Sequence, residues 1–147
     1  MKNLTIAIGA DHAGYELKSQ VIEWLSPSVS ALKDFGTDSE ESVDYPDFAH
    51  AVAGEVEKGN FELGILICGS GIGVDMTANK HQGIRSALCW KKEIGRLAKS
   101  HNNANVICLP GRFITIEEAI EILDTFFNTK FEGGRHNRRI GKISCRI

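Results

Sequence analysis

Short apolar runs of strand length recur along the chain at residues 4–8, 63–68, 84–88 and 105–109, with a weaker one at 29–35. They are nearly continuous and rich in Ile, Val and Leu, the pattern of strands buried on both faces of a parallel sheet. Between them the apolar positions change to a spacing of three and four. Leu17, Val21, Trp24 and Leu25 share a face over residues 14–25, and Phe48, Val52 and Val56 do so over residues 47–58. The second of these ends at Gly59, a residue suited to closing a helix, and Asp47 is placed to open it. Residues 91–100 and 115–128 repeat the pattern, Thr115 and Glu118 have the form of a capping box, and a further helix is predicted through residues 74–79. Alternating β and α over most of the chain predicts a Rossmann-like three-layer α/β sandwich around a five-stranded parallel sheet. Such a sheet binds its ligand at the carboxyl ends of its strands.

The length, 147 residues, fits one domain over residues 1–147. It falls well short of the ~250 residues typical of an eightfold βα barrel. Hydrophobic residues at 42% and charged residues at 24% exclude a disordered or fibrous chain. A net charge of −2 offers no general attraction to nucleic acid or an anionic membrane. No stretch approaches the ~20 apolar residues of a membrane span, and the opening residues read as a first strand rather than a signal peptide. Cys68, Cys89, Cys108 and Cys145 form no Cys-x-x-Cys pair, so neither a zinc knuckle nor a disulfide framework is expected, and isolated thiols fit a reducing cytoplasm. The charge is unevenly spread. Residues 133–147 hold Arg135, Arg138, Arg139, Lys142 and Arg146 and no acid, whereas all 19 acids lie in residues 1–132. A basic tail on an acidic body points to a C-terminal extension that folds back, meets a second subunit or binds an anion.

Candidate chemistry clusters at the ends of the predicted strands. Asp11 and His12 follow the first strand, either as an acid–base pair or as a helix-capping Asp beside an exposed His. Cys68 ends the third strand and leads into Gly69-Ser70-Gly71-Ile72-Gly73. Three glycines in five residues allow a tight turn whose N–H groups face an anion, and positive potential there favours a thiolate at Cys68. The other reading of Cys68 is a buried thiol closing an apolar strand, as for Cys89 and Cys108. A dinucleotide fingerprint and a Cys-x5-Arg phosphatase loop both fail at position 74, which is Val74, and no Gly-Lys-Ser/Thr triplet makes a P-loop. His101 stands before the last strand among Asn102, Asn103 and Asn105, as an acid–base group or as part of an Asn-rich helix end. Arg112, Arg135 and Arg139 supply guanidinium forks suited to a phosphate. The basic block is too short, and too poor in aromatics, for nucleic acid.

Taken in order, Gly9-Ala10-Asp11-His12-Ala13-Gly14, residues 37–46, residues 64–73, Ala78-Asn79-Lys80, Gly83-Ile84-Arg85, His101-Asn102-Asn103-Ala104-Asn105-Val106 and residues 131–136 resemble the type B ribose-5-phosphate isomerases. That sugar-phosphate isomerase family also contains the galactose-6-phosphate isomerase subunits. The resemblance implies a cofactor-free, metal-free enzyme interconverting D-ribose 5-phosphate and D-ribulose 5-phosphate in the non-oxidative pentose phosphate pathway. It implies Cys68 as the base, with Ser70 and the backbone of Gly69, Gly71, Ile72 and Gly73 stabilising an enediolate. It makes His101 the proton donor in opening the sugar ring, near Asp11 and Asn102. His12, Arg112, Arg135 and Arg139 would hold the phosphate, in a homodimer or dimer of dimers whose subunits build each site jointly. One branch of the family replaces the cysteine by an acid further on; here Val74 occupies that place and Asp75 falls one position late. A six-carbon sugar phosphate as substrate, or a sugar-phosphate binder without chemistry, are the rival readings.

Overall fold

The computed structural model describes residues 1–145, so Arg146 of the basic tail lies outside the described residues. Its strands are β1 (Thr5–Ala10), β2 (Ala31–Asp34), β3 (Leu63–Cys68), β4 (Ser86–Leu88) and β5 (Val106–Pro110). They pair in parallel in the order β2-β1-β3-β5-β4. The helices are α1 (Tyr15–Leu25), α2 (Tyr45–Glu57), α3 (Ile72–Ala78), α4 (Lys92–Ser100), α5 (Ile116–Asn128) and α6 (Arg135–Ile140).

The side chains of the central strands alternate between two cores, which is why their sequences read as unbroken apolar runs. Ile6 and Ile8 of β1, Ile65 and Ile67 of β3 and Ile107 and Leu109 of β5 pack with Leu17, Val21 and Leu25 of α1 and Ile122, Leu123 and Phe126 of α5. Ala7, Leu66, Cys68, Val106 and Cys108 face the other way, against Val52, Ala53 and Val56 of α2 and Val74 and Ala78 of α3. Each fully buried aliphatic side chain contributes about 1.5–3 kcal/mol. The three-layer, five-stranded α/β sandwich is therefore the architecture observed.

Local signals are met with small shifts. Gly59 follows α2 with φ +79, and the Thr115–Glu118 capping box is complete in both directions. The N-cap of α2 is Asp44 and not Asp47. Pro46 sits in the first turn of the helix, where its missing N–H costs nothing, so the helix starts before Asp47. The helix expected over residues 74–79 starts earlier, at Ile72. β2, at the edge of the sheet and mostly exposed, is shorter than the 29–35 run because only one side of it is paired.

The burial of Lys18 and the helical form of the basic tail were not anticipated, although a tail that folds back was among the readings of its charge. Lys18 of α1 is only 1% exposed, its Nζ donating to both Asp34 carboxylate oxygens at 2.6 Å and to the Thr37 carbonyl at 2.7 Å. The basic tail forms α6, anchored where the Glu132 N–H donates to the Ser100 carbonyl at 2.9 Å and Ser144 Oγ donates to the Gln82 carbonyl at 2.8 Å.

Candidate active site

From β1 the chain passes outward to β2 on one side, and β3 lies on β1's other side. The carboxyl ends of β1 and β3 thus flank the switch point of the sheet, where a crevice must open because the connecting loops diverge. A cavity of ≈ 560 Å³ lies there, lined among others by Asp11, His12, Tyr45, Cys68, Ser70 and Arg112.

Asp11 leaves β1 and turns its Oδ1 onto the N–H groups of Ala13 (3.0 Å) and Gly14 (3.1 Å). One carboxylate oxygen therefore secures the turn into α1, and the capping reading of Asp11 holds for that atom. His12 accepts the Val43 backbone N–H on Nδ1 at 3.2 Å. A neutral ring so held carries its proton on Nε2, ready to donate. Neither Val43 nor its amide was singled out in the sequence, since a backbone donor leaves no mark there.

Cys68, 5% exposed, ends β3. Its Sγ accepts the N–H of Gly71 at 3.2 Å. That bond requires the turn to fold back on the strand end, which Gly71 permits with φ +74. Ser70 Oγ accepts the Ile72 N–H at 3.3 Å, leaving its own hydroxyl hydrogen available. Arg112 follows β5, its N–H donating to the Gly69 carbonyl at 3.0 Å. Tyr45 packs against Gly73, where any Cβ would lie 2.6 Å from the Tyr45 ring. Tyr45, Met76 and Phe113 also line the cavity; the last two were not singled out in the sequence, because exposed apolar residues on loops and helix faces have no periodic signal.

Cys89, Cys108 and Asp75 do not line the cavity. Burial pushes Cys89 up to about 12 and Cys108 well above the ordinary thiol range. The Asp75 carboxyl is engaged by Ser86, its Oδ1 accepting that hydroxyl at 2.7 Å, and burial holds it above the usual value.

The structure brings Asp11, His12, Cys68, Gly69, Ser70, Ile72, Gly73 and Arg112 together, with Gly71 in the same turn. It does not bring His101, Asn102, Arg135 or Arg139 to them. β5 begins beside Gly64 and ends beside Cys68. His101 and Asn102 precede β5, so they lie at the amino edge of the sheet, at least about 13 Å along the strands from the cavity. α6 is tied to that same edge through Ser100. Within one chain, therefore, His101 does not share the cavity with Asp11 and Cys68, and Arg135 and Arg139 do not stand beside Arg112.

At the amino edge, His101, Glu132 and His136 set their ligand-type atoms within 4.8 Å of one another. The two imidazoles are stacked face to face, 17° between planes, so their lone pairs run side by side and do not converge on one ion. Among the described residues no helix is long and apolar enough to cross a membrane.

Fold and cavity define a small doubly wound α/β enzyme with a thiol and a glycine turn at its switch point. Residues 6–143 match the Ribose/Galactose Isomerase family, and the chain belongs to that family of isomerases. Ribose-5-phosphate isomerase B of Escherichia coli is 39% identical over 140 residues, covering 95% of this chain and 94% of its own. A crystal structure of a Thermotoga maritima ribose 5-phosphate isomerase superposes with a TM-score of 0.93 at 50% identity, covering 96% of this chain and 97% of that one. The Mycoplasma genitalium ribose-5-phosphate isomerase B, solved with ribulose-5-phosphate bound, gives 0.91 at 45% identity over 97% and 95% of the two chains.

Proposed function

We propose that this chain interconverts D-ribose 5-phosphate and D-ribulose 5-phosphate, a step of the non-oxidative pentose phosphate pathway. The observation that carries the reading is Cys68, a thiol lining the switch-point cavity with a backbone donor already on its sulfur. Cys68 takes the proton from C2 of the open-chain aldose and returns it to C1. Between those transfers the charge rests on O1 of an enediolate, held by the turn amides and the Ser70 hydroxyl; the O2 proton then moves to O1 as the ketone forms. Each well-placed donor to such an oxyanion is worth about 10²–10³ in rate.

His12 and Arg112 bind the phosphate from this chain, and Arg135 and Arg139 bind it from a second subunit. The same subunit supplies His101, which opens the furanose ring, with Asn102 beside it. The placement of these four residues at the amino edge supports a homodimer with shared sites, because one chain does not close the cavity with them. A cytoplasmic setting that keeps Cys68 reduced completes the reading.

The test is ribulose 5-phosphate formation from ribose 5-phosphate by the wild type and Cys68→Ser, with chelator present. Turnover in the first and loss in the second is expected. A folded wild type without turnover would overturn the substrate and direct attention to six-carbon phosphates.

A further inference from the structure

His101 caps the C-terminal end of α4, its side chain 37% exposed. The ring of His136, 8% exposed, lies over it with centroids 4.3 Å apart. Glu132 Oε2 is 3.8 Å from Nε2 of His101 and 3.6 Å from Nε2 of His136. The arrangement is built by the backbone. The Glu132 N–H bonds the Ser100 carbonyl, and Gly133 and Gly134, with φ +66 and +56, turn the chain so that the His136 N–H reaches the Gly133 carbonyl at 3.1 Å.

Stacking on the buried His136 ring fixes the direction of the half-exposed His101 imidazole, and the Glu132 carboxylate lies beside the Nε2 atoms of both rings.

We propose that Glu132 and His136 are positioning residues for His101, holding its ring in place for the opening of the closed sugar. The inference rests on the ring-opening role of His101. In that step the C1–O4 bond breaks and O4 takes both its electron pair and the proton from His101. The anomeric hydroxyl gives its proton to Asp11 as the C1 carbonyl forms.

Ribulose 5-phosphate is open-chain, so washing solvent deuterium into its C1 needs Cys68 and no ring opening. Isomerisation of ribose 5-phosphate and this exchange are measured for Glu132→Gln, His136→Phe and His101→Asn, each verified as folded and assembled. Phe keeps the stacked ring and removes the nitrogens. Glu132→Gln and His136→Phe are expected to slow isomerisation by about tenfold to 10²-fold, as for a misaligned reacting group, with exchange within about twofold of wild type. His101→Asn should show the same split, more strongly. Wild-type isomerisation in the first two variants with His101→Asn impaired overturns the inference alone. An unimpaired His101→Asn overturns the ring-opening role and the inference with it. Parallel loss of exchange and isomerisation shows a role in the fold and also overturns it.

Discussion

The backbone N–H of Gly71 donates to the sulfur of Cys68 across 3.2 Å, joining the end of β3 to the turn that follows it. The bond holds the sulfur in place at the mouth of the cavity. Cys68→Ala is expected to lower kcat by about 10²–10⁴, the usual contribution of a positioned general base. Asp75→Asn, which alters a carboxylate bonded to Ser86, should leave turnover near normal. Steady-state isomerisation assays of both variants check this; the opposite pattern would move the base to Asp75.

Gly71 has φ +74, and a Cβ there would collide with Leu88 Cδ1 and lie 3.1 Å from the Leu109 carbonyl carbon. Gly71→Ala therefore strains the backbone by on the order of 1–3 kcal/mol and displaces the donor from Cys68. Thermal unfolding should show a lower Tm, and kcat should fall with it. An unchanged Tm would mean that the turn is not held against β4 and β5 as described.

Burial raises the carboxyl of Asp75 above its ordinary value. The folded state then binds a proton that the unfolded state has already released, so stability falls as pH rises from the unfolded value of Asp75 through its folded one. The penalty is absent below that window and present in full above it. Asp75→Asn should flatten this segment of a stability–pH profile measured by urea unfolding. An identical slope in wild type and variant would contradict it.

If His101 serves the cavity of a second subunit, two inactive variants must complement each other. A dimer of one Cys68→Ala chain and one His101→Ala chain holds one site with both mutations and one with neither. Equal mixing after denaturation and refolding should restore about one quarter of wild-type activity, since half the dimers are mixed and each has one intact site. Recovery no greater than the average of the parents would place His101 and Cys68 in the same chain's site.

Lys18 is fully buried, whereas the Asp34 side chain opposite it is 38% exposed. Removing the carboxylate strands a buried ammonium; removing the ammonium leaves a carboxylate that water still reaches. Asp34→Ala should cost about 3–5 kcal/mol, the range for an uncompensated buried charge, and Lys18→Met distinctly less. Chemical denaturation of both variants tests the ranking, and a reversed order would count against it.

The alternation of apolar strands with amphipathic helices made the sheet, its two covered faces and its ligand-binding edge legible, because burial on both faces leaves a continuous apolar run. The turn at residues 69–73 was legible for a similar reason: glycine is required where the chain must fold back on a strand end. Buried Lys18 was not, since a lysine reads as solvated until its partners on β2 and the following loop are placed around it. Nor was the donor that Val43 offers His12, which is backbone.

The architecture was readable from the chain alone, as was the cluster of Asp11, His12, Cys68, Ser70 and Arg112, which end or follow strands and so stand at their carboxyl ends. Only the tertiary structure decided the edge to which His101, Glu132 and His136 belong, and that the three meet. A residue that precedes a parallel strand lies at the opposite end of the sheet from one that follows it, however close the two are along the chain. Arg112 and His101, either side of β5, are separated by that rule.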